Sequence, residues 1–127
     1  MDNNDFDNIK SEVDKLAKII NSPESLLPIY GFSIDERPCV SLNSDGHYCL
    51  TYSDRGEIKS SYIASDIDHL LYLIFSGLTY SIALFHTKYK KGVVPIKLIY
   101  QRQLELLGEI NKDWQEKEKL KIGDRIH

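Results

Sequence analysis

The stretch His47-Tyr48-Cys49-Leu50-Thr51-Tyr52-Ser53-Asp54-Arg55-Gly56, returning through Glu57 to Tyr62, decides the fold. Tyr48, Leu50 and Tyr52 alternate with His47, Cys49 and Thr51, the period of two expected of a strand with one covered face. Ser53 to Gly56 is a short turn ending in glycine, a strong hairpin signal. Upstream, Cys39 to Leu42 runs through Asn43-Ser44-Asp45-Gly46 into the same strand. The reading is a three-stranded antiparallel meander over 39–42, 47–52 and 57–62.

Helices flank this sheet on both sides in sequence. Ile9, Val13, Leu16, Ile19 and Ile20 recur at helical spacing, opposite Lys10, Glu12, Asp14, Lys15 and Lys18. Asp7 or Asn8 is placed to cap this helix, and Asn21-Ser22-Pro23 to stop it. Asp2 to Asp7 reads as a frayed polar start. Ser22 to Pro38 reads as a connection pinned by Leu26, Leu27, Ile29, Tyr30 and Phe32.

Downstream, Ser65 is placed as an N-cap with Asp68 as its capping-box partner. Ile67, Leu70, Leu71, Ile74, Phe75, Leu78, Ile82, Phe85 and Tyr89 then mark a long, buried helix over 66–89. Its centre, His69 to Phe85, has no Asp, Glu, Lys or Arg, but at this length and with Ser76, Gly77, Thr79 and Ser81 inside it reads as a core helix rather than a membrane span. Pro95 is placed to open a third helix with Ile96, Ile99, Tyr100, Gln103, Leu106 and Leu107 on its inner face, weakened or ended at Gly108. Asn111 is placed to cap a last, highly charged helix that frays beyond Trp114. The order predicts an α+β fold: an N-terminal helix, the meander, then a long buried helix and two further helices packed on one face of the sheet. The chain, 127 residues long, reads as one domain, with 1–7 and 119–127 frayed.

Sixteen Lys+Arg against nineteen Asp+Glu leave a net charge of -3. A dedicated nucleic-acid binder is usually basic, so that class is disfavoured. The N-terminal 36 residues hold eight acids against three lysines, a surface suited to a basic partner or simply to solvent. Met1 to Asp7 has neither the basic nor the apolar region of a secretory signal, so a cytoplasmic location is expected. Two cysteines, Cys39 and Cys49, form no disulfide framework and no zinc site. They read as reduced thiols in small positions, with a bridge between neighbouring strands as the alternative.

The residues that carry chemistry elsewhere show none of its spacings here. His47, His69, His86 and His127 fit no metal motif, and no phosphate-binding loop or nucleophile elbow occurs. His47 and Cys49 share a strand face, the one arrangement that suggests thiol catalysis, but no third group orients them. Asp66 and Asp68 read as first-turn acids that favour the helix dipole. No cofactor, no metal and no catalytic residue is therefore expected, and the protein is read as a non-enzyme. Lys88, Lys90, Lys91, Lys97 and Arg102, interleaved with Tyr89 and Tyr100, form an acid-free basic tract. That tract supports the alternative reading, a small nucleic-acid-binding regulator.

The order and spacing of several segments carry a resemblance. They are Ile9 to Ala17, Ile20 to Glu24, Leu27-Pro28-Ile29-Tyr30-Gly31, Arg37-Pro38 before the hairpin with His47-Tyr48, Asp68 to Phe75, and Gln103-Leu104-Glu105-Leu106-Leu107-Gly108 followed by Trp114. Together they resemble the immunity protein 63 family of bacterial polymorphic-toxin systems, over about residues 9 to 118. Over Tyr80 to Val94 the chain is less acidic and more basic than that pattern. The resemblance implies a small cytosolic protein that protects its maker by binding a cognate toxin domain. Occlusion of the toxin's active site or a neighbouring exosite is the mode expected here, and no membrane partner is expected. It carries over no functional residues. The candidate contact residues come from the hairpin and the approach to it: Asp35, Glu36, His47, Tyr48, Tyr52, Asp54 and Glu57. Tyrosine gives large contact area at low entropic cost, and the acids suit a basic cleft. Self-association stays open.

Overall fold

A computed structural model describes residues 3–31, 37–87 and 96–123. The elements run helix α1 (Asn3–Ile19), a 3-10 turn at Glu24–Leu26, strands β1 (Ile29–Tyr30), β2 (Cys39–Leu42), β3 (Tyr48–Asp54) and β4 (Glu57–Ile63), then helices α2 (Ile67–Thr87), α3 (Ile96–Ile110) and α4 (Lys112–Gly123). The class is α+β, as the patterning predicts. The chain forms two compact units, Met1–Ile74 and Phe75–His127, with the boundary inside α2.

In the first unit the sheet has four strands in the order β1-β2-β3-β4. The expected meander is β2-β3-β4, both of its ladders antiparallel. The addition is β1, which pairs parallel to β2 with Ile29 opposite Cys39 and Tyr30 opposite Val40. Sequence reading treats these two residues as part of a connection, because an element so short has no period. Bonds from the Ile29 N–H to the Pro38 carbonyl and from the Gly31 N–H to the Val40 carbonyl, both 2.8 Å, hold it.

Helix α1 starts a full turn earlier than the Asp7 or Asn8 cap predicts, and the expected fraying of residues 1–7 does not extend to its first turn. Phe6 explains the difference: its ring lies 6.2 Å from both Tyr30 on β1 and Tyr48 on β3, and so ties this turn to the sheet. The helix stops where expected. Asn21 takes a φ of 52°, while the Ser22 N–H donates to the Ala17 carbonyl and the Asn21 N–H to the Lys18 carbonyl. That pair of bonds is a Schellman termination, with asparagine in the left-handed position. Ile9, Val13, Ala17 and Ile20 form the buried stripe.

Strand register sorts the sheet into two faces. Tyr30, Val40, Leu42, Tyr48, Leu50, Tyr52 and Tyr62 share the face that Phe6 contacts. Ile29, Cys39, Ser41, Cys49, Thr51, Ser61 and Ile63 share the other. Cys39 and Cys49 are buried and not joined in a disulfide, and they are set opposite Thr51 and Ser41 respectively.

The start of α2 is capped by Asp66, whose carboxylate accepts the His69 N–H at 2.8 Å. His69 in turn accepts the Ser65 N–H at its Nδ1, 3.0 Å away. The box is therefore built one residue later than the Ser65–Asp68 pairing, and the reciprocal partner is the imidazole. Among the described residues α2 alone is long and apolar enough to cross a membrane, and half of that stretch is buried within the fold.

In the second unit Phe75 stacks on Trp114 of α4, rings 6.0 Å apart at 17°. Ile99, Leu106 and Leu107 of α3 are buried as expected, whereas Ile96 is exposed. Pro95, the expected opener of α3, lies outside the described residues. A polar thread runs through the unit's apolar core. The Ser76 hydroxyl donates to Glu118 at 2.6 Å, and the Gln103 amide donates to the Ser76 carbonyl at 2.8 Å.

Two expectations here are overturned. Gly108 neither weakens nor ends α3, which continues to Ile110. It is a point of close approach: the Gln115 carboxamide of α4 lies where a Cβ would stand and donates to the Leu104 carbonyl at 3.0 Å. Nor does the helix give way at Trp114, because α4 runs to Gly123 and buries Ile122. Asn111 caps this helix as expected, accepting the Trp114 N–H.

Candidate functional site

The β3–β4 hairpin turns on Arg55 and Gly56, both at positive φ (55° and 80°). The loop is therefore two residues long, and Asp54 and Glu57 form the last rung of the ladder instead of lying within the turn. Both acids are exposed, and Glu57 pairs with Lys59 at 3.2 Å. At the far end of β3 the Asn43 side chain accepts the Asp45 and His47 N–H groups at 2.9 and 3.0 Å. This ties down the preceding turn and leaves His47 exposed, just ahead of the strand.

The candidate residues thus separate by position. His47, Asp54 and Glu57 are solvent-facing, at opposite ends of β3. Tyr52 is half-buried, and its ring meets Tyr62 edge to face at 6.2 Å. Burial, and secondarily the neighbouring Tyr62, push its phenol up to about 12. Tyr48 is 7% exposed under Phe6. As a contact residue it is corrected: it shares the covered face with Leu50 and builds the core. Asp35 and Glu36 lie outside the described residues. The Cys49 thiol is directed at the main-chain carbonyl of His47, 4.0 Å away, and not at its imidazole.

Three further side chains complete the exposed surface, none of them among the contact residues expected from sequence. On β4, Ile58 is 54% exposed, Tyr62 48% and Ile63 61%. Every residue of this strand except Ser60 is exposed. The signal for this was positional: the last strand of a meander has a neighbour on one side only. The resulting surface is an apolar and aromatic edge, Ile58, Tyr62 and Ile63 with Tyr52 behind, bracketed by acids. Anchors of this kind, framed by complementary charge, are what protein recognition uses. Among the described residues no group of three or more His, Cys, Asp or Glu side chains is placed to hold a metal.

The family model for Immunity protein 63 matches residues 44–124, more than half of the chain. The chain belongs to the Immunity protein 63 family. The matched span takes in the whole β3–β4 hairpin and all three later helices, while the segments from Ile9 to Gly31 that contribute to the resemblance precede it. No curated protein and no solved structure matches the chain.

Proposed function

We propose that this protein is a cytoplasmic immunity protein that binds a cognate bacterial toxin domain and neutralises it by covering its active site or an adjacent exosite, with no catalysis of its own. Membership of the Immunity protein 63 family carries the reading. The exposed hairpin edge supports it, because inhibition by occlusion needs a preorganised surface with apolar anchors and a charge bias. The two-residue turn and the two flanking antiparallel ladders preorganise β3 and β4 before any partner arrives.

The basic tract gives no matching support to a nucleic-acid reading. Lys88, Lys90 and Lys91 lie outside the described residues, and Arg102 is engaged by Glu105 at 3.0 Å.

The test is co-expression with the C-terminal toxin domain encoded beside this gene, scoring both co-purification and growth. A tight complex with restored growth is expected. Growth without a complex would indicate chemical reversal of the damage and overturn the occlusion mechanism. Neither complex nor growth would overturn the partnership.

A further inference from the structure

Among the described residues, strand β4 is the outer strand of the sheet, paired to β3 alone. Its ladder phase can be read from one bond: the Ala64 N–H donates to the Tyr48 carbonyl at 2.9 Å. Antiparallel pairs alternate between hydrogen-bonded and non-hydrogen-bonded. Tyr48–Ala64 is bonded, so Leu50–Tyr62 and Tyr52–Ser60 are bonded too, and Cys49–Ile63 and Thr51–Ser61 are not. The N–H and C=O groups of Ser61 and Ile63 therefore point away from β3, along the open side of the sheet.

Edge strands are usually guarded by a lysine or a bulge. Both devices are present here, and both are displaced from this stretch. The irregularity lies at Tyr52/Ser53, towards the turn, so Ser60 to Ile63 stays regular. Lys59 is drawn to Glu57. The shift also puts Ile58 opposite Ser53, and hence on the face of Ser61 and Ile63, while Tyr62 stands on the other face beside Tyr52. An added strand would thus find apolar neighbours on both faces.

We infer that the open edge of β4 receives an extended segment of the toxin domain as a fifth strand, a docking mode that rests on the function proposed above. Charge selects the occupant. At the turn end of β4 the exposed Asp54 and Glu57 are balanced by Arg55 and Lys59, while just beyond the other end the exposed Asp66 and Asp68 leave an acid excess. In an antiparallel pair of two β4 strands, the balanced turn end of each copy would face the Asp66/Asp68 end of the other. A second copy thus brings no excess of positive charge to these acids. A partner strand with apolar residues at its centre and Lys or Arg at the end beside Asp66 and Asp68 meets them with an opposite charge. Main-chain bonds supply the docking, and alternate side chains supply the selectivity.

The experiment is amide hydrogen exchange by NMR on the full chain, free and mixed with the toxin domain encoded beside the gene. In the free protein the Ser60 and Tyr62 amides exchange slowly and those of Ser61 and Ile63 fast. In the complex Ser61 and Ile63 slow by about tenfold or more, as expected for amides newly bonded in a ladder. A complex that leaves both amides fast overturns the docking mode and leaves the immunity function standing. No complex at all overturns both. Ser61→Pro removes one outward N–H at an edge position that tolerates proline, and is expected to weaken the complex by about tenfold or more. Thr51→Val removes the 3.1 Å hydroxyl contact with Ser61 but keeps the N–H, and is expected to leave affinity within about twofold. Equal losses in the two variants would overturn the main-chain role.

Discussion

Tyr52 on β3 and Tyr62 on β4 meet edge to face, ring centroids 6.2 Å apart and planes at 81°. They lie on diagonal positions of one sheet face, close enough for aromatic rings to interact. The contact leaves Tyr62 about half exposed while Tyr52 is largely covered.

That coverage makes stability fall at alkaline pH. The Tyr52 phenol is raised from 10.0 to about 12, so between these values the folded chain holds a proton that the unfolded chain has lost. The contribution is complete below pH 10 and is lost as pH rises towards 12. The melting temperature should therefore drop across this window, and drop less steeply in Tyr52→Phe. A tyrosinate absorbance titration should lose one late-titrating phenol in the same variant, while Tyr30, which burial also raises, keeps its own.

Phe6 fastens the first turn of α1 to the sheet through Tyr30 and Tyr48. Phe6→Ala should cost about 2 kcal/mol in urea unfolding, below the range for fully buried phenylalanines because Phe6 is half-buried. Circular dichroism should show the loss of about one helical turn.

Gly108 and Gln115 should be coupled. An ordinary Gly→Ala change inside a helix gains about 1 kcal/mol. Here the new methyl displaces the Gln115 carboxamide and breaks its bond to the Leu104 carbonyl, so Gly108→Ala should lose about 1 kcal/mol instead. In a Gln115→Ala background the same change should become stabilising, and a double-mutant cycle measures the reversal.

The Ser76 hydroxyl is a donor to the buried Glu118 carboxylate. Ser76→Ala should cost about 1.5–3 kcal/mol, the range for a bond to a charged group. Ser76→Thr, which keeps the hydroxyl, should cost less in thermal unfolding.

Arg55 takes a left-handed conformation that favours Asn or Gly. Arg55→Asn creates an Asn-Gly turn and should raise stability by about 0.5–1 kcal/mol, read as a higher denaturation midpoint at unchanged slope.

Periodicity and turn chemistry made most of this architecture legible. The α1 stripe at Ile9, Val13 and Ile20, the alternation through Tyr48, Leu50 and Tyr52, and the Asn111 cap are local signals that tertiary context left intact, although Ile19 of the expected stripe is exposed and Ala17 is buried in its stead. The misses have nonlocal causes. Nothing near Ile29-Tyr30 marks a strand; its pairing depends on Val40. The first turn of α1 depends on a ring contact made across the fold. In α4, Trp114, Glu118 and Ile122 stand at four-residue intervals on one buried stripe, but the glutamate at its centre hid the pattern, because its burial depends on Ser76 from a distant helix. At the site, the exposure of His47, Asp54 and Glu57 was readable from turn chemistry. The burial of Tyr48 was also implied, since alternation sets it beside Leu50. The exposure of Ile58 and Ile63 was readable only from the place of β4 as the last strand of the meander, because hydrophobicity alone cannot separate an edge strand from an inner one.

The two sides of the sheet are unequal, and this limits how the protein assembles. On the β1 side a joining chain would meet a strand of two residues, with the Leu27 carbonyl just before it already bonded to Arg37 at 3.0 Å. On the β4 side it would meet seven residues. Sheet extension is therefore one-directional: a guest strand that docks on β4 finds no second berth of comparable length among the described residues. Assembly by this route stops at one guest per host, giving a closed stoichiometric pair instead of a growing fibre.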